Sequence, residues 1–126
     1  MARLQNLGND DDWFVGEDKT LSFEIFSSDE VTMENVTGFA MQWVMRQGLE
    51  GDPILINKTT AGATISITGT WNADMNINTQ RVNVSVPRTD TYRLQPGKYY
   101  HALKRTDSGN QTVLSYGAVE LKRAAI

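Results

Sequence analysis

The chain has no cysteine, a single histidine and only three prolines in 126 residues. The missing cysteines exclude a disulfide scaffold and any zinc site built on thiolates. Basic runs are also missing: Lys104-Arg105 and Lys122-Arg123 are isolated pairs in a chain of net charge −3 and pI about 5.0. That balance argues against a nucleic-acid binder relying on positive charge. No stretch approaches the roughly 20 apolar residues needed to span a bilayer. The first six residues lack the apolar core of a signal peptide. The expectation is a protein made and soluble in a cytoplasm, with no membrane partner.

What is present is ordinary globular composition, 40% hydrophobic and 21% charged, and enough chain for one domain with a real core. Helical periodicity is weak throughout, and β-branched residues fill the periodic stretches. Leu21, Phe23 and Ile25 alternate with Ser22, Glu24 and Phe26. Phe39, Met41, Trp43 and Met45 share one face of a second strand, with Ala40, Gln42, Val44 and Arg46 on the other. Short strands follow at Ile54–Ile56, Ala63–Thr68 and Val82–Val86, where Pro87 ends the pattern. Trp71 to Thr79 is a polar connection.

The final third is the clearest. Leu94-Gln95-Pro96-Gly97 is a corner, because Pro96 presets its φ and Gly97 admits angles other residues avoid. Lys98 to Arg105 is a strand, Asp107-Ser108-Gly109-Asn110 reverses the chain, and Thr112 to Leu121 returns. About seven short strands between turn signals predict a single antiparallel β-sandwich. Residues 1–18 differ: they carry the acidic cluster Asn9-Asp10-Asp11-Asp12 and an isolated Trp13-Phe14-Val15, without sustained period. They read as an extended arm preceding a sandwich domain at 19–126. Either Trp13 and Phe14 cap the domain's own core or the arm docks on a neighbouring subunit.

No constellation carries chemistry. His101 alternates with Tyr99 and Leu103, which places it on the core or a sheet face, and no nucleophile elbow accompanies it. The chain is expected not to be an enzyme and to need no cofactor. Asp74-Met75-Asn76-Ile77-Asn78 begins like a calcium loop, but Thr79 and Ser85 stand where that loop needs Gly and a bidentate Glu. The Asp10-Asp11-Asp12 cluster reads as a solvated turn before it reads as a cation site, so no metal is expected. Asn35, Asn57, Asn83 and Asn110 each open an Asn-x-Ser/Thr triplet, a by-product of a Thr- and Asn-rich surface. Trp71, at a strand end, is the tryptophan best placed for exposure. A protein contact ranks above sugar stacking there, because aromatics are enriched at protein interfaces. Trp13, Phe14 and Trp71 are therefore the candidate interface residues.

Three strings together resemble a family of small immunoglobulin-like β-sandwich proteins of tailed bacteriophages and prophages. They are Gly16-Glu17-Asp18-Lys19-Thr20-Leu21-Ser22-Phe23, then Asn35-Val36-Thr37-Gly38 leading into Phe39-Ala40-Met41-Gln42-Trp43. The third is Asp90-Thr91, Leu94-Gln95-Pro96-Gly97-Lys98-Tyr99, Arg105-Thr106-Asp107-Ser108-Gly109 and Gly117. Similar strings occur in the amino-terminal domain of upper-baseplate proteins, and the likeness extends to capsid decoration proteins. The resemblance implies an immunoglobulin-like sandwich and a tyrosine corner, in which the Tyr99 hydroxyl bonds upstream backbone beside Pro96 and Gly97. It also implies a virion structural protein, made in the host cytoplasm. The preferred role is a decoration or cement protein bound to the major capsid protein or other virion proteins. A tail, baseplate or neck adaptor and a carbohydrate-binding module for host attachment are the alternatives. Homo-oligomerisation is possible on this reading, and no residue specifies it.

Overall fold

The computed structural model describes residues 3–8, 11–48 and 53–123. Among the described residues eight strands run in chain order: β1 Arg3–Leu4, β2 Lys19–Phe23, β3 Met41–Arg46, β4 Ile54–Thr59, β5 Ile65–Thr68, β6 Arg81–Val86, β7 Gly97–Arg105 and β8 Thr112–Leu121. A 3₁₀ turn at Arg88–Asp90 follows β6. One sheet has the order β1-β8-β7-β3-β4 and the other β2-β6-β5. Apart from the parallel β1–β8 pair, all neighbouring strands are antiparallel. The β8-β7-β3-β4 layer opposite β2-β6-β5 is the strand layout of a variable-type immunoglobulin domain. The fold is an all-β, immunoglobulin-like sandwich.

Alternation fills the space between the sheets. Met41, Trp43 and Met45 point inward from β3, Val82, Val84 and Val86 from β6, and Leu21 and Phe23 from β2. Side chains of period two on each strand bury one face and leave the other wet. The alternation expected to continue through Phe26 stops at Phe23, where β2 ends. Phe26 is buried as well, because it bridges back to Met33 in a small loop hairpin.

Immunoglobulin domains commonly place a buried tryptophan against a disulfide joining the sheets, with a tyrosine two residues before the second cysteine. Here the tryptophan is Trp43, and the tyrosine is Tyr99, whose hydroxyl donates to the Gln95 carbonyl at 2.6 Å. Two residues further on stands His101. Its ring lies 5.8 Å from that of Phe23 and 6.0 Å from that of Trp43. Phe23 and His101 thus occupy the place of the bridge between the sheets. The cross-link is replaced by ring packing between the sheets.

Residues 3–8 and 11–18 lie along this same domain. Gln5 and Leu7 donate backbone bonds to Tyr116 and Ala118, and Glu120 donates back to Leu7. Further on, Lys122 donates to Trp13, and Val15 donates to Lys122. The described part of this segment is stitched to β8 of its own chain and to the residue after it.

Candidate interaction surface at the loop end

Three connections gather at one end of the sandwich: residues 24–40 between β2 and β3, 69–80 between β5 and β6, and 106–111 between β7 and β8. Backbone bonds run from Met33 to the Ala73 carbonyl and from Thr106 to the Ala40 carbonyl. The Ala40 amide also donates to the Asp107 carboxylate, which the Arg105 guanidinium holds below its usual titration range. Buried Gln80 ties the first two loops together, accepting from the Val36 amide and donating to Asn35 and Thr37. Asp29 closes its own turn, accepting from the Thr32 hydroxyl and from the Thr32 and Val31 amides, which lowers its titration. A turn bonded at this density holds its side chains in place.

On this frame sits an apolar rim. Thr32 pairs with Asp74, so the residues flanking that bridge lie side by side. Val31 is 64% exposed, Met75 46%, Ile77 61% and Trp71 39%. The Trp71 indole donates to the Met33 carbonyl at 3.0 Å, which fixes the ring while leaving part of its face open. Grouped apolar side chains on a rigid mount are the usual mark of a protein contact. In variable-type immunoglobulin domains the loops of one end are also where binding residues cluster.

The structure separates the three interface candidates. Trp71 belongs to the rim. Trp13 has no exposed surface and sits in the core cluster, so its assignment as an interface residue is corrected: it seals the interior beneath the arm. Phe14 is half-buried and bridges Lys122 at the far end of the sandwich, so it does not join Trp71. Val31, Met75 and Ile77 escaped the sequence reading. They lie in non-periodic loops, and only the pairing of Thr32 with Asp74 brings them together.

His101 is 4% exposed. Its Nδ1 accepts the Trp43 indole N–H at 3.2 Å, and its Nε2 donates to the Gln5 carbonyl at 2.7 Å. Both nitrogens are engaged, which leaves no lone pair for a substrate proton. The carboxylates of the arm are likewise occupied: Asp11 pairs with Lys19 at 2.7 Å, and Asp12 with Lys122. Asp10 lies outside the described residues. Among the described residues, no group of three or more His, Cys, Asp or Glu side chains is placed to hold a metal ion, and no helix is long and apolar enough to cross a membrane.

A multi-ring platform for sugar stacking would need exposed aromatics beside Trp71. Exposed Tyr92 lies beyond β6 at the opposite end of the sandwich, and exposed Tyr116 lies on β8. These rings do not form one platform with Trp71.

No protein-family model matches the chain, and no curated protein matches it. Among solved structures it is similar to the NK cell receptor Nkp44, a triggering partner in natural cytotoxicity. That likeness has 10% identity and a TM-score of 0.39, covering 97% of this chain and 99% of that one. It is also similar to the inferred receptor binding domain of the human endogenous retrovirus envelope EnvP(b)1. There the identity is 10% and the TM-score 0.41, covering 97% of this chain and 91% of that one. Neither is a phage protein, and neither brings a partner or ligand to this chain.

Proposed function

We propose that this chain is a protein-binding immunoglobulin-like domain without catalytic activity, and a structural protein of a tailed-phage virion. It decorates the exterior of the assembled shell, with the major capsid protein or other virion proteins as partners. The observation that carries the binding role is the apolar rim of Val31, Trp71, Met75 and Ile77, mounted on loops that bond to one another. The virion setting is supported by the motif strings from Gly16 to Gly117. A compact domain without fibre repeats also suits a decoration role better than a stalk.

The mechanism is linkage. A domain that binds only the assembled shell stabilises that shell by mass action, and many weak contacts repeated over a lattice give high occupancy. Met75 and Ile77 are exposed, so Met75→Ser with Ile77→Ser leaves the core untouched. Losing two buried aliphatic contacts at an interface costs on the order of 3 kcal/mol, or roughly 100-fold in affinity. Stripped particles incubated with this variant should bind far less of it than of the wild type. Equal occupancy would remove the rim from the contact.

A further inference from the structure

One strand edge of the smaller sheet is left open. Immunoglobulin sandwiches of constant type set the first strand beside the second in one sheet. Here β1 lies in the other sheet, beside β8, and β2 is an edge strand of its own. The neighbouring strands fix where the β2 backbone groups point. Ser85 donates to the Thr64 carbonyl opposite it, so Ser85 and Asn83 turn their amides and carbonyls toward β5. Val82, Val84 and Val86 then bond to Phe23, Leu21 and Lys19 across the β2–β6 ladder. Thr20 and Ser22, both exposed, turn their amides and carbonyls the other way, off the sheet. The Ser22 carbonyl accepts from the Gln5 side chain at 3.2 Å. The Thr20 amide, the Thr20 carbonyl and the Ser22 amide have no partner among the described residues.

A groove runs along this edge. One part, about 340 Å³, lies between Gln5–Gly8 of the arm and Lys19–Ser22 of β2, with buried Leu7, Trp13 and Leu21 in its walls. A second part, about 310 Å³, continues from Gln5 and Ser22 to Leu4 and Glu24. The Gln5 side chain, rather than a backbone ladder, bridges the arm to β2. Trp13 also carries a buried indole N–H with no acceptor among the described residues. None of Val31, Trp71, Met75 and Ile77 lines the groove, so it is separate from the rim.

We propose that this groove binds an extended peptide segment of another protein, which adds to β2 as a further strand. Unpaired amides and carbonyls at alternate residues are matched by the backbone of an extended chain. The pairing also selects side chains. Peptide residues opposite Thr20 and Ser22 share their outward face, while the residue opposite Leu21 shares its inner face, where Leu7 and Trp13 also line the groove. The segment therefore alternates polar and apolar residues. A second copy does not supply it. The arm walls the groove, which leaves room for one strand but not for the β2 edge of a domain carrying its own arm. The arm of another copy is already engaged, because Gln5 and Leu7 bond β8 of their own chain.

Residue-resolved amide hydrogen exchange on the full chain tests this, with capped synthetic peptides that alternate threonine with valine, leucine or phenylalanine. Without peptide, the Thr20 and Ser22 amides should exchange as open edge amides do, while the Leu21 amide stays protected. A saturating peptide should slow both by at least about tenfold, and the same peptide N-methylated along its pairing edge should not. Thr20→Pro removes one outward donor and keeps the β2–β6 ladder, because an edge strand tolerates proline where its N–H faces away from the sheet. It should weaken peptide binding by at least about tenfold, with circular dichroism checking the fold. Should that variant not fold, the N-methylated peptides test the same bonds on the wild type. Thr20 and Ser22 amides already protected in dilute protein overturn the proposal. So does failure of every peptide to protect them, or equal binding of the N-methylated peptides. Protection that rises with protein concentration in the absence of peptide would put a second copy on the edge and overturn the choice of partner.

Discussion

His101 links three parts of the molecule through one imidazole: the β7 backbone that carries it, Trp43 on β3, and the Gln5 carbonyl of the arm. Burial lowers its pKa from the ordinary 6.5, and the bond to Gln5 opposes that shift in part. The folded state therefore keeps the ring neutral where the unfolded chain takes up a proton. Its stabilising contribution is complete above about pH 6.5 and declines as pH falls toward the lowered folded value. Melting temperature measured from pH 8 to 4.5 should fall more steeply for wild type than for His101→Gln. Parallel curves would mean that folding leaves the pKa of the ring unshifted. Tyr99→Phe removes the bond to Gln95 and should cost about 1 kcal/mol, or roughly 4 °C in melting temperature, with the fold kept. An unchanged midpoint would contradict a structural role for that hydroxyl.

Tyr99 was legible in the chain because Pro96-Gly97 fixes the corner before it. His101 was legible only as a buried-side residue, since its partners are 58 and 96 positions away. Trp13 was not resolved either way. It stands in an acidic, non-periodic stretch, and its burial is decided by β8 at the other end of the sequence.

Among elements, the arm depends most on a few residues. A Cβ at position 117 would lie 2.2 Å from the Gln5 carbonyl oxygen, and one at position 8 would lie 2.1 Å from that of Glu120. Gly8 also has φ +85°, where side chains are strained. These glycines let two backbones approach closely enough to pair. Gly117→Ala should lift the arm from β8, lowering hydrogen-exchange protection at the Gln5 and Leu7 amides while β3 and β7 remain protected. Unaltered protection of the arm would show that the contact does not need the glycine.

The strand interiors followed directly from alternation, most plainly in β3 and β6. Their ends did not. β4 reaches Thr59 rather than stopping at Ile56, because Lys58 and Thr59 pair with Trp43 and Gln42. Lys58 also forms an ion pair with Asp90 at 2.7 Å, beside the 3₁₀ turn. A polar Asn57-Lys58-Thr59 has no apolar period to announce it as a strand, and its partners supply the reason.

At the scale of the molecule, seven regular strands and their turn residues were enough to specify a two-layer sandwich. The partition of its surface was not legible. Which loops meet depends on strand order, so the apolar rim emerges only once β2, β6 and β5 are paired and the β2–β3 and β5–β6 connections meet at one end. The proposed virion role rests on motif order, and the proposed contact rim rests on topology.

The most direct measurement is quantitative mass spectrometry of purified particles of the tailed phage proposed to encode this chain, paired with imaging of where it sits. A decoration role requires on the order of hundreds of copies on the shell exterior, as lattice multivalency implies. About six or twelve copies would move the protein to the tail, and its absence from the particle would contradict the account.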